Sequence, residues 1–117
     1  ETFAIIQTED SGDALDITGV DSSSTAPEFI LNNGTIVGNT ESSTSKIGSI
    51  KEKAKGKIKN IFITKFENTI NKLDVNTNAT NSVNSNDIQF ENIELNLNSS
   101  TDLSTVIDSA ISSQTNF

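Results

Sequence analysis

Three apolar stretches of this chain keep one frame around an asparagine. Counting from Asn33, Asn60 and Asn92, position −2 is Leu31, Ile58 or Phe90 and position +3 is Ile36, Ile63 or Leu95. Side chains alternate across a strand, so apolar residues at this odd separation share a face only if the backbone bends between them. Asparagine tolerates the left-handed conformation that such a bend uses. Strand, bend and strand, recurring at roughly 27 to 32 residues, is the unit of a β-solenoid coil.

The rest of the pattern fills in around these bends. Residues 3–8 predict a strand, 9–13 a turn, and 14–20 a strand with Leu15 and Ile17 on one face. A Ser-rich connection over 21–27, closed by the only proline, leads to the first bent pair of strands, 29–31 and 35–37. A loop is expected over 38–45. Ile47, Ile50, Ala54 and Ile58 fall at helical spacing with lysines opposite, but Gly56 and the alternating Lys53, Lys55, Lys57 and Lys59 suit strand and turn. The second bent pair spans 58–66 and a further strand 70–75. Residues 76–86 predict a loop too polar to be core. The third bent pair covers 88–97, and a last strand is expected over 103–107.

These elements predict a single all-β domain over residues 1–117. Its expected form is a right-handed parallel β-helix (β-solenoid) segment of about four incomplete coils. The expected inward residues are Leu31, Ile36, Ile58, Ile61, Ile63, Phe90, Ile93 and Leu95. The chain opens within Phe3-Ala4-Ile5-Ile6 and closes on β-prone sequence with no evident polar cap, so it is expected to be a fragment of a longer exported protein that docks with further protein. That partner is expected to be the remaining coils of the same precursor or a subunit of a surface complex.

Composition narrows the chemistry. The chain lacks Cys, His, Met, Trp, Tyr and Arg, so Ser-His-Asp and Cys-His nucleophiles and histidine metal sites are excluded. Its net charge of −8 argues against nucleic acid or an anionic membrane as the main partner. No run of about 18 apolar residues is present to span a bilayer. All eight lysines lie in the middle of the chain, between acidic flanks. Lys53, Lys55 and Lys57 with Phe62 are therefore the candidate ligand surface, suited to a polyanion such as an acidic glycan or a lipopolysaccharide phosphate, and the parity of their stretch makes Phe62 or Phe66 a candidate for exposure.

Asp10, Asp13, Asp16 and Asp21 form the densest acidic run, but their spacing fits neither an EF-hand loop nor a calcium-binding nonapeptide. The pairs Asp13 and Asp16, and Glu91 and Glu94, are three apart, which on a regular strand puts the two carboxylates on different faces and disfavours paired acid–base catalysis. No catalytic residue, metal ligand or cofactor is predicted. Asn33, Asn60 and Asn92 are expected to be structural, stacking their amides in a ladder. Asn33-Gly34-Thr35, Asn78-Ala79-Thr80 and Asn98-Ser99-Ser100 match the N-glycosylation pattern, as expected by chance in so Asn-rich a chain.

Gly12-Asp13-Ala14-Leu15-Asp16-Ile17-Thr18-Gly19 resembles a rung of the secreted right-handed β-helix lipoproteins of Bacteroidetes and related bacteria. Pro27-Glu28-Phe29-Ile30-Leu31-Asn32-Asn33-Gly34-Thr35-Ile36-Val37-Gly38 resembles a later rung, and Gly56-Lys57-Ile58-Lys59-Asn60-Ile61 the strand after it. Asp108-Ser109-Ala110 resembles the short O-glycosylation signal of exported proteins in that group. This resemblance covers about two thirds of the chain. It implies a pectin-lyase-like architecture and an extracellular or outer-surface location more than any chemistry. The enzymes of that architecture usually rely on an arginine base with calcium-binding acids, or on clustered aspartates, and this chain has no arginine. The expected function is thus a non-catalytic extracellular or cell-surface structural or adhesive module. The alternatives are a glycan-binding module and, further off, a polysaccharide lyase or hydrolase.

Overall fold

The computed structural model describes residues 1–8, 11–19, 28–41, 44–66, 73–96, 102–114 and 117. Seven strands, β1 (Phe3–Ile6), β2 (Ser11–Thr18), β3 (Phe29–Val37), β4 (Thr44–Lys51), β5 (Gly56–Thr64), β6 (Leu73–Val75) and β7 (Ile88–Asn96), alternate between two sheets. One sheet has the order β1-β3-β5-β7 and the other β2-β4-β6. Among the described residues every strand pairing is parallel. The fold is therefore β-rich, each strand returning to its own sheet by way of a strand in the other.

The asparagine frame sets the register of the first sheet. Leu31, Ile58 and Phe90 share one level, and Ile36, Ile63 and Leu95 another. Between these levels lie Asn33, Asn60 and Asn92, with φ of 57°, 55° and 52°. The left-handed residue reverses side-chain parity, so Ile58, Ile61 and Ile63 are all buried although their spacing is uneven. Leu31, Ile93 and Leu95 pack more loosely, half-buried against this core. The second sheet changes phase with no left-handed residue at the change itself; Gly12, earlier in β2, has φ of 106°. Adjacent Ile47 and Gly48 are both buried, and pairing of β2 with β4 skips from Asp13 and Lys46 to Leu15 and Gly48.

Between the sheets sits one apolar core that includes Ile36, Ile47, Ile50, Phe66, Leu73 and Phe90. Ile47, Ile50 and Ala54 belong to strand and turn, which removes the helical reading of that segment. Phe66 is fully buried rather than exposed, lying against Gly38, where a Cβ would press on its ring.

The C-terminal third departs furthest from expectation. Residues 76–86, predicted as loop, contain helix α1 (Thr77–Asn84), started by Asn76, whose side chain accepts from the Ala79 N–H at 2.9 Å. Ala79, Ser82 and Val83 are buried, so the segment does supply core. The expected strand over 103–107 is instead helix α2 (Leu103–Val106), capped by Asp102, and only Ile107 keeps a parallel bridge, to Leu73 of β6. A last helix, α3 (Ser109–Ser112), follows, capped by Asp108.

Candidate functional site

Three features of the surface follow from this arrangement: a groove along the bend, a charged outer face, and two unlike ends.

The groove runs beside the asparagine bend. Asn92 Nδ2 donates to Asn60 Oδ1 at 3.1 Å, and Asn60 Nδ2 donates to Asn33 Oδ1 at 3.2 Å and to Asn32 Oδ1 at 2.9 Å. Amides on successive strands thus form an exposed ladder, each positioned by its own left-handed backbone. Thr2, Asn33, Asn60 and Asn92 line the groove, of about 570 Å³, together with Thr35, Phe62 and Glu94. Half-buried Phe62 and Phe3 are its aromatic lining residues. The groove contains none of Lys53, Lys55 or Lys57. Lys53 and Lys55 lie in the connection between β4 and β5, and Lys57 stands on the first half of β5, level with Ile30 and Gln89. The Asn60 bend lies between all three and Phe62 along the chain, and of the four residues of the candidate ligand surface the groove takes in Phe62 alone.

On the outer face of the second sheet, charges alternate in sign from strand to strand. Lys51 Nζ of β4 donates to Asp16 Oδ2 of β2 at 3.0 Å, and Lys46 Nζ donates to Asp74 Oδ2 of β6 at 3.3 Å. Ser49 Oγ donates to Asp13 Oδ2. The Lys51 ammonium, with the Thr18 hydroxyl, holds the Asp16 carboxyl below the usual aspartate range. The phase change in β2 leaves Asp13 and Asp16 both exposed, which corrects the parity expected from their spacing. Each is nonetheless engaged by β4, and among the described residues no three acidic side chains gather to hold a metal ion. Asp10 and Asp21 lie outside the described residues.

The ends differ most. Gln114, just beyond α3, aims its amide at the free edge of β7: Oε1 accepts from the Phe90 N–H at 2.8 Å, and Nε2 donates to the Ile88 carbonyl at 2.8 Å and the Val83 carbonyl at 3.2 Å. In a parallel ladder a residue level with Gln89 would donate to Ile88 and accept from Phe90. The glutamine amide therefore copies the peptide groups of the next strand. The Phe117 ring adds a tilted contact with Phe90, centroids 6.4 Å apart. Val106, Ile107 and Ile111 are fully buried behind it. Gln114 and the helices thus cover this end at residues 88–90, a polar cap that the sequence did not make evident; among the described residues nothing pairs with the outer edge of the rest of β7.

At the other end, β1 pairs with β3, and β2 with β4, and among the described strands nothing pairs with their outer edges. Gln7 donates its N–H to the Val37 carbonyl at 2.9 Å, and strand alternation then points the peptide groups of Ala4 and Ile6 to the open side. Ile6 is 66% exposed. Gln7, Ser11 and Asp13 border a hollow of about 260 Å³ between β1 and β2. Gln7 Nε2 donates to the Gly12 carbonyl at 2.6 Å, while its Oε1 is buried without a hydrogen-bond partner.

Only the phase change at each asparagine was a sequence signal for the groove; the Gln114 cap and the alternating charges depend on which strands become neighbours. No helix among the described residues is long and apolar enough to cross a membrane. No protein-family model, no curated protein and no solved structure matches the chain.

Proposed function

We propose that this chain is a non-catalytic structural module of the right-handed β-solenoid class, working outside the cell or at its surface, whose β1–β2 end is extended by a further coil. The observation that carries this reading is the contrast between the ends. Gln114, α2 and α3 cover one at residues 88–90, while the other presents unpaired backbone edges, an exposed Ile6 and the orphaned Gln7 oxygen. Open strand edges are templates for pairing, and proteins that do not use them blunt them. Return to the same parallel sheet through a crossover is right-handed in about 98% of cases, which supports the hand. The polar, Asn- and Ser-rich composition and the resemblance to exported β-helix lipoproteins support the location.

The test is amide exchange read residue by residue on the isolated chain, with light scattering to fix its mass. The Ala4 and Ile6 amides exchange fast in a monomer, while the Phe90 amide held by Gln114 is protected to nearly the level of β5. A monomer in which Ala4 and Ile6 exchange as slowly as β5 would overturn the reading.

One observation favours a second reading, glycan binding: Phe62 and the amide ladder share a groove. Amides supply hydrogen bonds to hydroxyls, and an aromatic ring face packs against sugar C–H groups. Glycan-array binding that is lost in Phe62→Ala and retained in Lys55→Glu would establish this reading over the lysine strip.

A further inference from the structure

We infer that the strand completing the β1–β2 end is basic where it meets β2, and is therefore not a second copy of this chain. The inference rests on the proposed extension of that end and specifies the chemistry of what extends it.

The outer face of the second sheet carries acids on β2, lysines and a serine on β4, and an acid on β6. Opposite charges on neighbouring strands stabilise a sheet, and like charges placed directly opposite destabilise it. A strand added beyond β2 meets Asp13 and Asp16. Asp16 is level with Ser49 and Asp74, and Lys46, level with Asp13, reaches diagonally along the sheet to Asp74. A lysine at the Asp13 level of an added parallel strand has that same diagonal reach to Asp16. The incoming strand that continues the pattern is thus one resembling β4: lysine, then a hydroxyl, then lysine.

Among the described residues a second copy does not supply this. Its two edges in this sheet are β2, which repeats Asp13 and Asp16, and β6, which offers Asp74 and already bridges to Ile107 through Leu73. Both oppose acid to acid. The net charge of −8 adds general repulsion between copies.

The experiment appends a copy of residues 28–55, which carries the β4 lysines, ahead of residue 1 of the full chain through a flexible linker. A twin carries Lys46→Glu and Lys51→Glu in the appended copy alone. Exchange of the Ala4, Ile6 and Asp16 amides is measured in both, and unchanged β5 and β7 resonances certify that the host remains folded. The lysine coil is expected to slow these amides about tenfold more than its acidic twin. Carbodiimide is expected to link the appended Lys46 to Asp16. Equal slowing by both coils, without that cross-link, overturns the basic partner and leaves the extension of the end standing. No slowing by either coil, again without the cross-link, removes the extension and the inference with it. Concentration-dependent dimerisation of the unmodified chain that protects the β2 amides also overturns the inference.

Discussion

Asn60 does two things with one side chain. Its amide bonds on both sides, to Asn92 and to Asn33 and Asn32, while its backbone holds φ at 55°. The two contributions separate by substitution. Asn60→Ala loses the ladder and strains the left-handed backbone, for an expected loss of about 2–3 kcal/mol, whereas Asn60→Gly loses the ladder alone, at about 1 kcal/mol. Urea titration of the two variants checks the order, and a glycine variant no more stable than the alanine one would assign the whole effect to the amides. Asp16 supplies a pH test. Its carboxyl is held below the usual range by Lys51 and Thr18, so its contribution is fully present above the unfolded value and is lost as pH falls through the lower folded value. The urea midpoints of the protein and of Asp16→Asn should keep a constant separation above the ordinary aspartate range and converge as the pH falls below it.

At the scale of elements, what could be foreseen was what the chain states locally. A parity break at an Asn is visible in the sequence because burial and alternation conflict there, and β3, β5 and β7 bend at those residues. The phase change in β2 and β4 was hidden, since no asparagine marks it and the backbone there is not left-handed; Gly48 lies instead close against the Leu15 backbone. Gly48→Ala would drive a Cβ into the Leu15 carbonyl oxygen and is expected to cost about 1–3 kcal/mol in a thermal or denaturant melt. Helix α1 was missed because so little of it is apolar: Ala79 and Val83 make its buried stripe with Ser82 between them, and its clearest mark is the Asn76 cap. Asn76→Ala should cost about 1 kcal/mol, measured in the same way. In α2 the β-branched residues at 105–107 suggested a strand, but the Asp102 side chain binds the Ser104 N–H and turns the chain into a helix, leaving Ile107 alone to complete the sheet.

For the molecule as a whole, the parallel pairings join residues 27 to 32 positions apart along the asparagine ladder, so each repeat depends on its neighbours more than on itself. The glutamine clamp on β7 gives this stack a fixed stop and a loose start. Pulled apart by its termini in an optical trap, such a stack should not rupture in one event. It should fray from β1, surrendering repeats of about 100 Å of extended chain in succession, and Gln114→Ala should let slack appear at both ends. A single rip spanning the full contour length would show that the repeats yield together.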